Sequence, residues 1–115
     1  MTAPTIDPAT FETLQETTGA EFALELVDTF LHEAPSMLDD LRLALANQDA
    51  DTFRRAAHSL KSNSNTFGAL TLGAMARDLE LTGVAAVGER GAEPLAALEA
   101  EYARVAAALT AMRDA

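Results

Sequence analysis

The sequence predicts an all-α domain: an antiparallel four-helix bundle with a short additional helix at its N-terminus. The 115 residues are 49% hydrophobic but only 5% aromatic, so the core must be built from Leu, Ala, Val, Met and a few Phe, of which Leu and Ala are strong helix formers. Apolar residues recur three and four positions apart, and no stretch alternates as a strand does. We expect a single domain over residues 1–115, with the bundle core at about 20–113.

The first half of the chain predicts a short helix followed by two longer ones. Asp7 and Pro8 are a capping carboxylate and a proline at the first helical position, and Gly19 ends this helix. A second helix begins near Glu21, and Pro35 is expected to break or restart it. The apolar residues of the second helix are Phe22, Ala23, Leu26, Val27, Phe30 and Leu31, and those after the proline are Met37, Leu38, Leu41 and Leu45.

The second half predicts three more helices. Asp49 or Asp51 caps a helix that extends to Gly68, and the next helix spans Ala69 to Leu81. The Gly-rich segment TGVAAVGERGAEP is predicted to be a connection that ends at Pro94. The last helix has the clearest apolar periodicity, formed by Leu95, Leu98, Tyr102, Val105, Leu109 and Met112.

The composition argues against several classes of function. A formal net charge of -10 disfavours binding to the phosphates of nucleic acids or to anionic membranes. The absence of Cys excludes disulfides and thiolate metal sites. No apolar run is long enough to span a bilayer, and the N-terminus does not have the pattern of a signal peptide. We therefore expect a cytoplasmic protein that binds neither nucleic acid nor membrane.

The histidine in RRAAHSLKSNSNTFGA is predicted to be exposed in the middle of a helix. At about 100° per residue, one side of this helix collects apolar residues, and His58 lies near the middle of the other side. The apolar residues are Phe53, Ala56, Ala57, Leu60 and Phe67, and the polar ones are Asp51, Arg54, Arg55, His58, Lys61, Ser62 and Asn65. The simplest alternative is a surface histidine with no role.

The residues around His58 favour a functional interpretation. The chain has only 8 Lys and Arg residues, and Arg54, Arg55 and Lys61 all lie on the same face as His58. They predict a local positive patch that suits an anion. Ser62 and Asn65 are small and lie further along this face, so another protein can approach the imidazole closely.

An exposed imidazole beside cations suits phosphoryl transfer. An unperturbed histidine is largely neutral at pH 7 and is nucleophilic. The motif contains no adjacent nucleophile of the kind that a hydrolase histidine activates. A phosphoryl group on the ring would bring negative charge, which Lys61 one turn away is placed to stabilise.

The same stretch resembles the signature of the histidine-containing phosphotransfer (HPt) domains of two-component phosphorelays. That pattern is roughly A-H-x-L-K-G, then small residues, G-A, and L-E about ten residues later. The helix order agrees along nearly the whole chain, and Ser62 stands where the family usually has Gly. The matching residues are Ala57, His58, Leu60, Lys61, Gly68, Ala69, Leu79 and Glu80.

The resemblance implies that His58 accepts a phosphoryl group from an aspartyl phosphate on one receiver domain and passes it to an aspartate of another. Its partners would be response-regulator receivers and a hybrid sensor histidine kinase. The receiver would supply Mg²⁺, so this chain needs no cofactor or metal site. Lys61 would steady the charge, Glu80 would accept the second ring N–H, and Ser62 would leave clearance for the partner or donate its hydroxyl.

The remaining candidates have more ordinary interpretations. Gly68 and Ala69 serve chain reversal and close helix packing. Phe22 and Leu31 flank the apolar stripe of the second helix and are edges of the core or the apolar part of a receiver-docking surface. His32 is predicted to be a surface histidine. All helix faces find partners within one bundle, so we expect a monomer.

Two other functions stay open at this point. One is a helical protein-interaction module in which His58 is incidental. The other is the dimerisation and phosphoacceptor region of a sensor kinase, although Ser59 replaces the usual acidic residue and no proline follows before Pro94. A di-metal bundle would need Glu-x-x-His pairs, and Thr29 and Arg55 occupy those positions.

Overall fold

The computed structural model describes residues 4–115, which form helices joined by turns and contain no strand within that range. The predicted bundle core and the predicted additional N-terminal helix both lie within these residues. None of the helices in this range is long and apolar enough to cross a membrane. The elements are α1 (Pro8–Thr18), α2 (Ala20–Asn47), α3 (Ala50–Thr66), α4 (Leu70–Thr82), α5 (Val84–Glu89) and α6 (Glu93–Asp114).

Four of these helices form the bundle, which confirms the predicted fold class. In order around the bundle, α2 packs on α3, α3 on α4, α4 on α6, and α6 back on α2, so that α3 lies diagonally across from α6. The short α1 packs against α2 and α3. The apolar faces of all the helices meet in one hydrophobic core, and burial of this surface is the main favourable contribution to folding.

The prediction that Pro35 breaks or restarts the second helix is wrong. α2 is a single helix of 28 residues with Pro35 inside it. Pro35 is exposed, whereas Phe30, Ala34 and Leu38 on either side are buried in the same core. Proline removes one hydrogen bond of the helix, but the packing of one continuous apolar face on both sides outweighs that loss.

The sequence predicted that the Gly-rich segment before Pro94 is a connection, and this prediction is incomplete. The segment contains α5, a helix of 6 residues that packs against α2, α3 and α4. Val84 and Val87 are buried, and their three-residue spacing places both on one face of the helix. Burial of these two valines explains why a segment rich in glycine is helical.

The turn between α3 and α4 is a Schellman motif built on Gly68. The Gly68 N–H donates to the Asn65 carbonyl at 3.2 Å, and the Ala69 N–H donates to the Ser64 carbonyl at 2.8 Å. Gly68 has φ +85°, and a Cβ there would lie 2.8 Å from the Asp7 carbonyl oxygen. Glycine is therefore required both by the backbone conformation and by the contact with the start of α1, and Ala69 is buried beside it.

Candidate functional site

His58 lies in the middle of α3 with its imidazole in solvent. Its side chain is 58% exposed, as the helical periodicity predicted. The opposite side of α3 is held in the core by Phe53, Ala57 and Leu60, which are fully buried. Asp49 fixes the start of the helix, since its carboxylate accepts from the Thr52 N–H at 3.2 Å. A rigid helix thus presents an accessible ring.

Glu80 joins His58 to Lys61. Its Oε2 lies 2.9 Å from His58 Nδ1, and its Oε1 lies 3.0 Å from Lys61 Nζ. The Glu80 side chain is only 16% exposed, and that of Lys61 is 23% exposed, so both are more shielded than the histidine. The carboxylate of one α4 residue therefore contacts two α3 side chains that are one helical turn apart.

The electrostatic environment keeps Glu80 ionised. The hydrogen bond from Lys61 is the largest influence that lowers the pKa of Glu80, and the hydrogen bond with His58 acts in the same direction against partial desolvation. An ionised carboxylate can only accept hydrogen bonds. The Nδ1 atom of a neutral His58 must therefore carry the ring proton, and Nε2 keeps its lone pair.

Close packing between α3 and α4 sets the position of Glu80. Asn65 lies two turns after His58 on α3, and Gly73 lies two turns before Glu80 on α4. A Cβ at Gly73 would overlap the Asn65 amide oxygen, so the Asn65 side chain occupies the space that any other residue at 73 would need. Sequence reasoning did not single out Gly73 as part of the site. The signal was a glycine in the interior of an otherwise good helix.

The two arginines predicted to form a positive patch are each paired. Arg54 Nη2 lies 2.8 Å from Asp51 Oδ1, and Arg55 Nη2 lies 3.0 Å from Asp51 Oδ2. Both arginines are well exposed, so these ion pairs are weak and screened by salt. The face around His58 is therefore less positive than a count of its cations predicts.

The other predicted site residues lie at different distances from the imidazole. Ser62 is exposed on α3 one turn after His58. Phe22 is 49% exposed and lies near the start of α2. Phe30, eight residues further along α2, contacts Phe67, which directly follows the last residue of α3. Phe22 therefore lies beyond the end of α3, whereas His58 is in its middle. The structure thus does not bring Phe22 next to His58. Leu31 packs partly buried against the core, and His32 is exposed on α2.

The arrangement can hold a nucleophilic imidazole in one tautomer beside a cation. Glu80 orients the ring through Nδ1, which leaves Nε2 to attack an electrophile from solvent. Lys61 supplies a positive charge within reach of the same carboxylate. Within residues 4–115 there is no group of three or more His, Asp or Glu side chains placed to hold a metal ion.

Comparisons with known proteins agree with this description. A family model described as "Hpt domain" matches residues 25–115. The crystal structure of histidine-containing phosphotransfer protein B (HptB) from Pseudomonas aeruginosa PAO1 superposes with a TM-score of 0.88 at 30% sequence identity, covering 98% of this chain and 97% of that chain. No match was found among curated protein sequences. The family model covers most of the chain, and the chain therefore belongs to the Hpt domain family.

Proposed function

We propose that His58 is the residue on which this phosphorelay histidine carrier holds its phosphoryl group, with Nε2 as the acceptor atom. The observation that supports this most directly is the 2.9 Å hydrogen bond between His58 Nδ1 and Glu80 Oε2. It orients an exposed ring and assigns the proton to Nδ1. The other histidine, His32, has no such partner among the described residues.

The proposed transfer is a substitution at phosphorus. The Nε2 lone pair attacks the phosphorus of a receiver aspartyl phosphate, an N–P bond forms, and the P–O bond to the aspartate breaks so that a carboxylate leaves with the electron pair. The Nδ1 proton stays on the ring and hydrogen-bonded to Glu80. In the return step, an aspartate of a second receiver attacks the same phosphorus, the N–P bond breaks, and neutral His58 is regenerated.

Lys61 has an electrostatic role in this proposal. A phosphoryl group on His58 adds negative charge beside the ammonium group, which in the unmodified protein pairs with Glu80 at 3.0 Å. The receiver would supply Mg²⁺, which would stabilise the negative charge that develops on the phosphoryl group. The proposed donor is the receiver of a hybrid sensor kinase, the recipient is a response regulator, and the carrier acts as a monomer.

Substitution of the two histidines tests the assignment. The wild-type chain, His58→Gln and His32→Gln are each incubated with a phosphorylated receiver and Mg²⁺. We expect an acid-labile, base-stable label on the wild type and on His32→Gln, and none on His58→Gln. Both substitutions are at exposed positions and should change stability little. Equal labelling of His58→Gln and the wild type would refute the assignment, and self-labelling with ATP alone would favour the sensor-kinase alternative.

A further inference from the structure

Arg77 is the one Lys or Arg residue that forms no ion pair within residues 4–115. All 8 Lys and Arg residues lie within residues 4–115, and the other seven each form at least one ion pair there. Arg77 is exposed on α4 and forms no ion pair with any described residue. In a chain with a formal net charge of -10, a cation without a partner calls for an explanation.

The acidic residues nearest to Arg77 along α4 are already engaged. Glu80, three residues further on, uses one oxygen for His58 and the other for Lys61. Asp78 interacts with Arg90, whose Nη1 lies 3.3 Å from Asp78 Oδ2. The Arg77 guanidinium therefore offers its donors to solvent or to a carboxylate on another molecule.

Exposed leucines lie beside Arg77 on the same face of α4. Leu70, Ala74, Arg77 and Leu81 follow one another four, three and four residues apart, which is the spacing of a single helix face. We call these four residues the α4 ridge. Leu70 is 48% exposed and Leu81 is 69% exposed, and they are two of the four large hydrophobic residues exposed within residues 4–115. A cation between exposed leucines is typical of a protein-binding surface.

The α4 ridge lies next to the phosphoacceptor. The His58–Glu80 and Asn65–Gly73 contacts fix one antiparallel register, and this register places Arg77 level with Lys61. Along α4, Arg77 is three residues, or about 4.5 Å, from Glu80. A standard protein interface covers roughly 800 Å² on each partner, a patch roughly 30 Å across. A domain that docks over His58 therefore also covers Arg77 and Leu81.

We propose that the α4 ridge is a receiver-binding surface on which Arg77 pairs with a receiver carboxylate and Leu81 contacts apolar side chains beside it. This inference rests on the proposed function. A receiver must present a phosphorylatable aspartate together with the carboxylates that hold Mg²⁺, so its docking face is acidic around the site. A free guanidinium complements such a face, and because most of this chain's own surface charge is negative, Arg77 also determines which receivers bind.

Transfer kinetics test the proposal on the full chain. Rates of phosphoryl transfer from one phosphorylated receiver are measured over a range of receiver concentrations for Arg77→Gln, Arg77→Glu and Arg77→Lys. The matched control is Arg113→Gln, because Arg113 lies on α6, diagonally across the bundle from α3. A second pair compares Leu81→Ser with Leu43→Ser, since Leu43 is 63% exposed on α2. Circular dichroism and thermal melting confirm that each variant is folded.

We expect the receiver concentration for half-maximal transfer to rise about tenfold in Arg77→Gln, as for one well-placed charge-assisted contact. Arg77→Glu should be more impaired and less salt-dependent, and Arg77→Lys should recover part of the affinity. Leu81→Ser should also weaken receiver binding, whereas both controls should stay within about twofold of the wild type. Hydrolysis of phosphorylated His58 without a receiver should be unchanged in every variant.

Three results would overturn the proposal while leaving the proposed function intact. The first is that the wild type becomes labelled and Arg77→Glu accepts the phosphoryl group from the receiver at the same rate. The second is an Arg77 variant whose phosphohistidine hydrolyses faster, which would mean that Arg77 acts on the phosphoryl group. The third is a wild-type dimer, seen by sedimentation, that Arg77→Glu converts to a monomer, which would assign the ridge to a second copy of this chain. Absence of label on the wild type would instead refute the proposed function itself.

Discussion

Glu80 Oε2 lies 2.9 Å from His58 Nδ1, and this contact joins the exposed ring of α3 to the neighbouring helix α4. The carboxylate cannot donate a hydrogen bond, so it selects the tautomer in which Nε2 is free. The other oxygen of Glu80 holds Lys61 at 3.0 Å. Orientation of the nucleophile and placement of the nearby charge therefore depend on one side chain.

Glu80→Gln should slow acceptance of the phosphoryl group. A glutamine amide can either accept from Nδ1 or donate to it, and the second arrangement puts the proton on Nε2 and removes the nucleophilic lone pair. Loss of a hydrogen bond to a charged group corresponds to about 1.5–3 kcal/mol, so we expect a rate loss of roughly 10- to 100-fold. Transfer rates and the ¹⁵N shifts of the His58 ring measure this effect. A wild-type rate together with an unchanged ring tautomer would contradict it.

Lys61→Met should raise the pKa of Glu80 toward its ordinary value. The hydrogen bond from Lys61 is the largest cause of the depressed Glu80 pKa. Ionised Glu80 therefore stabilises the folded state at pH values above its ordinary pKa of 4.5. This contribution is lost as the pH falls through the lower pKa of the folded protein. The variant should therefore lose less stability on acidification below that pH. Titration of the Glu80 side-chain carbon by NMR and unfolding at several pH values check both points, with Arg54→Met as a control that leaves Glu80 unchanged.

Gly73→Ala should stabilise the fold less in the wild type than in an Asn65→Ala background. In the wild type the new Cβ would overlap the Asn65 amide oxygen, so the exposed Asn65 side chain must rotate away, and this rearrangement should offset part of the gain from alanine. With Asn65→Ala in place the space is open, and Ala in a helix interior is favoured over Gly by about 1 kcal/mol. Urea denaturation of the four proteins in the cycle measures the coupling. A coupling near zero would show that the two residues do not share this space.

Ser64→Ala should stabilise the fold. The Ser64 side chain is fully buried on α3, and its hydroxyl has no hydrogen-bond partner among the described residues. An unsatisfied buried hydroxyl costs about 1–3 kcal/mol, so its removal should raise the free energy of unfolding by about 1 kcal/mol or more. Ser59→Ala, at an exposed position of the same helix, controls for the better helix propensity of alanine. Equal gains at the two positions would mean that Ser64 carries no burial penalty.

The sequence predicted the parts of the structure that depend on local periodicity. The exposure of His58 follows from the apolar stripe on the other side of α3, and the cap at Asp49 follows from a local hydrogen bond. The course of α2 did not follow from a local rule, because Pro35 is overridden by tertiary burial of Phe30 and Leu38. The helix at Val84 depends in the same way on partners that are distant in the sequence.

The sequence predicted the candidate site only in part, because the contacts within it depend on tertiary packing. His58, Lys61 and Glu80 were each identified, but the contacts between them require the register of α3 against α4, and helical periodicity does not define a register. The contribution of Gly73 depends on that register too, and so does the absence of an ion pair between Arg77 and any described residue. Arg54 and Arg55 both pair with Asp51. The net charge of this surface therefore cannot be predicted from its Lys and Arg residues without their acidic partners.

The Schellman turn at Gly68 makes the site depend on the length of one short connection. Only residues 67–69 separate α3 from α4, and His58 and Glu80 are 22 positions apart in the chain. Insertion of a single residue near the start of α4 would rotate the rest of that helix by about 100° and carry Glu80 away from the imidazole. The two sides of the site are thus adjacent in sequence as well as in space, so both are contained in a helical hairpin whose contacts form with little loss of chain entropy.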